Sequence, residues 1–206
     1  MRHFSFRPAL TLRGRKFKGL RGWAGKPFHP PLTDVPVGAY MLAAAFDLIS
    51  AIGHTNAWAR DYYRAGTFVL VGGAAVSLFA ALTGFWDWLR STEPRNQARR
   101  TANAHAVTML TVTTLVLADI AVRILVYPDA HSTPGVVLGL TLAAALLTVV
   151  GGTLGGSLGF DYGFNVETAG DSPVWHKSEV DMLPGQPEPN GAEPTDAPAE
   201  STPLRT

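Results

Sequence analysis

Residues 28–52 read FHPPLTDVPVGAYMLAAAFDLISAI, a polar segment with three prolines that leads into an apolar stretch. The apolar part, about 36–53, approaches the ~20 residues that an α-helix needs to cross ~30 Å of hydrocarbon. Comparable apolar segments follow at about 67–89, 104–127 and 134–160, and they share no repeat beyond their apolar character. Alternating ten-residue strands, which would indicate a membrane barrel, are not seen. The sequence therefore predicts an all-α fold, a four-helix transmembrane bundle.

The composition supports a membrane domain with polar ends, because 47% of the residues are hydrophobic and only 16% are charged. Residues 1–33 contain eight Lys or Arg and no acid, whereas 161–206 contain nine acidic residues and two basic ones. We expect a disordered basic arm over 1–27, the membrane domain over 28–167 and a mostly disordered, acidic, proline-rich tail over 168–206. The chain has no cysteine, which excludes disulfides, thiolate zinc sites and cysteine-ligated iron–sulfur clusters.

The basic residues predict the orientation of the helices. After the basic arm, the 54–66 loop has two Lys or Arg, the 90–103 loop has four and the 128–133 loop has none. This distribution predicts an up-down-up-down bundle in a bacterial inner membrane with both termini cytoplasmic. A basic arm beside a membrane anchor indicates headgroup binding. We expect the lipid bilayer and other membrane subunits as partners, and no nucleic acid.

Glycines repeat at a spacing of four in the last apolar segment, in the pairs Gly135/Gly139, Gly151/Gly155 and Gly152/Gly156. Small residues let helix backbones approach closely in lipid, so the pairs predict a groove on one face of this helix. Packing inside the bundle is the favoured interpretation. A substrate pathway or a seam between copies of the chain remains an alternative.

The predicted cytoplasmic ends of the helices share a layer of polar residues: His29, Asp34, Asp87, His105 and Ser157. Two imidazoles, His29 and His105, can ligate the iron of haem b axially, and the set His29, Asp34, Asp87 and His105 can ligate a divalent metal. A histidine near a helix end is also commonly a structural, hydrogen-bonded residue. The residues alone leave these alternatives open.

A deeper group of charged residues consists of Asp47, Asp119 and Arg123. Each such residue costs about 2.5–3.5 kcal/mol in the membrane centre and so indicates a partner or a function. Asp119 and Arg123 lie one helical turn apart, whereas Asp47 lies about 7 Å less deep than Asp119 and joins them only through tilt or side-chain reach. A proton or ion relay is one interpretation; the favoured one is an inter-helix clamp with Arg123 snorkelling outward.

Motifs of soluble catalysis (GxSxG, P-loop, HExxH and the dinucleotide fingerprint) are not found, and we therefore expect no enzyme.

The segments HPPLTDVPVG, AAAFDL, ALTGFWDWL, NAHAVTM and GGTLGGSLGFDYGFNV together resemble the DUF2231 family of bacterial membrane proteins, over about 28–167. His29, Asp47, Asp87 and His105 match the family pattern, whereas Asp34 and Ser157 stand where the family has histidine. The resemblance implies a small membrane module associated with redox partners. Some relatives continue into a Rieske domain, and VWHKSEVDMLPGQ resembles the approach to one, but the Cys-x-His pairs do not follow. We expect that domain to be absent.

Three functions are compatible with these features. The leading hypothesis is an accessory or scaffold subunit of a larger membrane assembly of redox or respiratory type. The first alternative is a haem- or metal-binding electron carrier that uses His29 and His105. The second is an ion or small-solute transporter that uses Asp47, Asp119 and Arg123.

Overall fold

The structure, a computed structural model, describes Leu20 and residues 27–91 and 95–163. These residues form four α-helices, which are α1 (His29–Gly53), α2 (Ala57–Ser91), α3 (Gln97–Leu125) and α4 (Gly135–Phe160). Consecutive helices pack on one another and α4 returns to α1, so that α1 lies diagonally opposite α3. All four are long and apolar enough to cross a membrane. The prediction of an all-α four-helix bundle is confirmed.

Most of the predicted arm (1–27) and the predicted tail (168–206) lie outside the described residues.

The first helix begins at His29, seven residues before the apolar segment that predicted it. Pro30 and Pro31 occupy its first positions, where a backbone N–H would have no partner within the helix. Pro36 is accommodated inside the helix and is buried. The prolines were therefore compatible with helix, and the apolar stretch marked only part of it.

The second and third helices also begin earlier than their apolar segments. The first turns of α2 are amphipathic: Ala59, Tyr63 and Gly66 are buried, while Arg60, Asp61 and Arg64 are exposed. In α3 the Asn96 side chain caps the helix by accepting a 2.7 Å hydrogen bond from the backbone N–H of Arg99. Polar helical turns therefore extend both helices beyond the apolar segments.

The interior of the bundle is built mainly from small and medium-sized side chains. Its buried cluster consists of Tyr40, Ala43, Leu70, Ala74, Val112, Val116 and Ala144. Larger apolar side chains point outward, and Phe68 and Leu146 are each 69% exposed. In a membrane this outer surface meets lipid tails, which are as apolar as the side chains themselves.

The predicted glycine groove on α4 is only partly present. A Cβ atom added to Gly151 would meet the Met109 side chain, and one added to Gly155 would meet His105, both on α3. A Cβ atom at Gly135, Gly139 or Gly152 would meet open space. Only the Gly151/Gly155 pair therefore brings α4 close to a neighbouring helix.

Candidate functional site

Two histidines occupy equivalent positions at the same end of the bundle. The Nδ1 atom of His29 lies 2.8 Å from the backbone carbonyl oxygen of Ala80 on α2, and the Nδ1 atom of His105 lies 2.8 Å from that of Gly151 on α4. A carbonyl oxygen only accepts hydrogen bonds, so each Nδ1 carries the hydrogen. In the neutral ring this leaves a lone pair on Nε2.

A glycine lies beneath each imidazole ring. A Cβ atom added to Gly84 would lie 2.6 Å from Cε1 of His29, and one added to Gly155 would lie 3.1 Å from Cε1 of His105. Each glycine follows its carbonyl donor residue by one helical turn, since Ala80 precedes Gly84 and Gly151 precedes Gly155 by four positions. We call His29, His105, Gly84 and Gly155 the histidine layer.

The histidine layer shows that the two helical hairpins share one register. Asp47 follows His29 by 18 residues, and Arg123 follows His105 by 18 residues. Buried residues 36, 40, 43 and 47 of α1 correspond in this register to buried residues 112, 116, 119 and 123 of α3. On α2, buried residues 66, 70, 73, 74, 77 and 80 correspond to buried residues 137, 141, 144, 145, 148 and 151 of α4. This repeat of structure has little counterpart in residue identity, which explains why the sequence shows none.

Asp87 lies next to the histidine layer and is only 6% exposed. Its carboxylate accepts a 2.9 Å hydrogen bond from the backbone N–H of Leu20 and is close enough to His29 for their charges to interact. His105 is likewise within electrostatic range of His29. The structure therefore brings three of the predicted site residues into one neighbourhood.

The predicted four-residue metal set is not assembled. Asp34 is exposed and has no described contact with either imidazole. Within residues 27–91 and 95–163, no three His, Asp or Glu side chains come together as a metal site. Asp34 is one helical turn beyond His29 but faces away from the bundle, and a serine at position 157 supplies no ligand of comparable strength.

The charged residues Asp47, Asp119 and Arg123 meet at the opposite end of the bundle and are each at most 1% exposed. The Arg123 guanidinium donates to Asp119 through Nε at 3.0 Å, and to Asp47 through Nη1 at 3.1 Å and through Nη2. The predicted depth difference between the two aspartates is wrong. Because α1 begins at His29, Asp47 lies as far along α1 as Arg123 lies beyond His105.

Arg123 points into the bundle rather than outward. Its guanidinium lies 5.4 Å from the ring centroid of Tyr63 and is hydrogen-bonded by the hydroxyls of Thr67 and Thr141 as acceptors, at 3.1 and 3.0 Å. The prediction that this side chain snorkels is wrong, because enough acceptors for its N–H groups converge inside the bundle. We call Asp47, Asp119, Arg123 and Thr141 the aspartate–arginine cluster.

Threonine and serine hydroxyls complete the surroundings of the cluster and were not predicted. Thr133, in the α3–α4 connection, donates to Asp47 at 3.2 Å through its hydroxyl and to the Ser50 hydroxyl at 3.0 Å through its backbone N–H. Tyr63 donates to the carbonyl oxygen of Tyr127 in the same connection at 2.9 Å. The cluster therefore joins α1, α3 and α4 to a loop.

The sequence contains no signal that distinguishes these threonines. Thr108, Thr111 and Thr114 of α3 donate to the carbonyl four residues earlier and are not part of any site. Thr141 makes the same kind of bond to Val137 at 2.9 Å but also reaches two carboxylates. Only the packing of three helices separates the two situations.

A profile of the DUF2231 family, described as a predicted membrane protein, matches residues 25–168. The chain belongs to this family. The match covers all four helices, the histidine layer and the aspartate–arginine cluster, and it confirms the resemblance seen in the sequence. This DUF2231 protein is a multi-pass membrane protein. No curated protein and no solved structure matches the chain.

Proposed function

We propose that this protein is a haem-binding accessory subunit of a membrane redox assembly, with His29 and His105 as axial ligands. The observation that carries the proposal is the orientation of the two rings. Each Nδ1–H donates to a backbone carbonyl of the neighbouring helix, which is how metal-ligating histidines are commonly held. In the described part of the chain, no hydrogen bond reaches either Nε2 atom.

The position of the two histidines on their helices supports the same function. Eighteen residues correspond to five full α-helical turns, so His29 shares a helix face with Asp47 and His105 shares one with Arg123. Asp47 and Arg123 contact each other inside the bundle. The two imidazoles therefore lie on the inward faces of diagonally opposite helices.

The donor set fits haem better than a bare metal ion. A protein-bound divalent cation usually takes three or more protein ligands, and the described residues do not assemble three. Haem iron has four porphyrin nitrogens of its own and needs one or two protein ligands. When bound, haem supplies one-electron exchange. The chain's own residues hold and orient the imidazoles, and the small side chains at Gly84 and Gly155 give the rings their space.

An accessory role follows from what a single carrier requires. A site that exchanges one electron needs a donor and an acceptor, which we place in partner subunits of the same membrane. A blue-native gel in mild detergent tests this part. The protein is expected to migrate in a larger assembly, and migration alone would contradict an accessory role.

Absorption spectroscopy tests the haem site. Protein expressed with added haem is expected to show a Soret band, and His29→Ala and His105→Ala are each expected to remove most of it. His131→Ala, at an exposed position in the α3–α4 connection, is the matched control and should leave the band unchanged. A Soret band that persists in the double variant would contradict the assignment of these two ligands.

A further inference from the structure

We propose that the aspartate–arginine cluster is a proton-binding site, in which Asp47 and Asp119 together hold one proton that is shared through the hydroxyl of Thr141. The site is separate from the histidine layer, because 18 residues of helix correspond to about 27 Å. Two independent counts support it, one of hydrogen atoms and one of charge.

The hydrogen count concerns the hydroxyl oxygen of Thr141. It lies 2.7 Å from Oδ2 of Asp47 and 2.7 Å from Oδ2 of Asp119, both within the range of O–H···O hydrogen bonds. A hydroxyl has one hydrogen, and an ionised carboxylate only accepts. One of these two short contacts therefore needs a hydrogen from the carboxyl group itself. A protonated carboxyl of either aspartate would supply it.

The hydrogens of Arg123 do not remove this deficit. Its Nη2 atom donates to Asp47, Asp119 and Thr141, and the distance to Oδ2 of Asp119 is 3.3 Å. These N–H groups bond the carboxylates from the guanidinium side. The contacts between the hydroxyl of Thr141 and the two carboxyl groups remain one hydrogen short.

The charge count gives the same answer. Asp47 is 0% exposed, and Asp119 and Arg123 are 1% exposed. Two ionised carboxylates and one guanidinium would leave a net charge of −1 away from water, which is strongly unfavourable without a further positive charge. No second basic side chain in residues 27–91 and 95–163 contacts either carboxylate. One bound proton makes the cluster neutral.

The titratable groups that face the proton come from three helices. They are Asp47 of α1, Tyr63 of α2, and Asp119 and Arg123 of α3. From α4 the cluster meets only the uncharged Thr141. If the carboxyl of Asp119 donates to Thr141, the hydroxyl of Thr141 donates to Asp47. Transfer of both hydrogens moves the acidic proton from one aspartate to the other.

Infrared spectroscopy tests the proposal at about pH 8, where carboxyl groups with ordinary pKa values are ionised. The wild-type protein is expected to show the C=O band of one protonated carboxylic acid, with a shift in D2O. Asp47→Asn and Asp119→Asn are each expected to remove this band completely, because the remaining carboxylate then pairs with Arg123 alone. Thr141→Val is expected to shift the band, since the carboxylic acid loses its acceptor.

The control is Asp87→Asn, which removes a buried carboxyl group outside the cluster and should leave the band in place. Size-exclusion chromatography and far-UV circular dichroism report whether each variant folds. If both asparagine variants fail to fold, the band in Asp87→Asn protein still decides the matter. Its absence would overturn the proposal. So would a band that survives in both asparagine variants, or an absent band together with thermal stability that rises on adding Na⁺, which would indicate a bound cation instead.

Discussion

At the scale of single residues, Gly84 and Gly155 determine whether the imidazoles can lie against α2 and α4. An added Cβ would come within 2.6 Å of the His29 ring at Gly84 and within 3.1 Å of the His105 ring at Gly155. The rings, rather than the helix backbones, would have to move.

We therefore predict that Gly84→Ala lowers haem occupancy without unfolding the protein, and that Gly155→Ala does so to a smaller extent. Alanine in a helix interior is favoured over glycine by about 1 kcal/mol, so stability should not fall. The Soret absorbance per protein measures the effect. Gly152→Ala is the control, because an added Cβ there meets open space. Equal occupancy in all three variants would contradict the role of the two glycines.

Arg123 is the only basic residue among those described that contacts the two buried carboxylates. Arg123→Met is predicted to lower the free energy of unfolding by about 3–5 kcal/mol, the usual cost of breaking a buried ion pair. Arg60→Ala, in an exposed pair with Asp129, should change it by about 0–1 kcal/mol. Chemical denaturation in detergent measures both. Similar effects of the two substitutions would show that the cluster is not a clamp.

The charged residues of both sites were accessible from the sequence, whereas their partners were not. Ionisable groups within or beside apolar segments stand out because they are costly there, which singled out His29, His105, Asp47, Asp119 and Arg123. Thr141 did not stand out, because threonine in a helix ordinarily bonds its own preceding turn. Asp34 was included by its position in the chain, and only the direction of its side chain removes it from the site.

At the scale of helices, the two glycines Gly72 and Gly73 of α2 have different surroundings. A Cβ at Gly73 would lie 2.6 Å from the Cβ of Ala39 on α1, whereas a Cβ at Gly72 would meet nothing within 4 Å. Neither Cβ can rotate away, so α1 and α2 would have to separate.

We predict that Gly73→Ala destabilises the bundle and that Gly72→Ala does not. The thermal unfolding midpoint of each variant in the same detergent measures the difference. A midpoint for Gly73→Ala that equals or exceeds that of Gly72→Ala would contradict the close packing of α1 on α2.

The extents of the helices were predicted less well than their number. Apolar content marks the part of a helix that meets lipid, and it missed the polar first turns of α1, α2 and α3. These turns matter for the site, since His29 lies at the first position of α1. Placing the start of α1 at residue 36 also led to the wrong relative depth for Asp47.

At the scale of the whole molecule, the two hairpins repeat one arrangement with different chemistry at its two ends. The end with His29 and His105 keeps the same residue type in both halves. At the other end the equivalent positions hold Asp47 and Arg123, which neutralise each other. We infer that the shared register places both sites on the bundle axis.

The orientation of the bundle is open to a direct test, because the chain has no cysteine and a single introduced cysteine is labelled without background. Cysteine at Asn56 or Asp129 is predicted to react with a membrane-impermeant maleimide in intact cells. Cysteine at Asn96 is predicted to react only after lysis. The reverse pattern would contradict cytoplasmic termini.

The absorption spectrum of the protein purified after expression with added haem tests the central claim most directly. We predict a Soret band that is present in the wild type and in His131→Ala, and absent in the His29→Ala/His105→Ala double variant. A wild-type spectrum without a Soret band, from protein that is folded, would contradict the proposed haem-binding function.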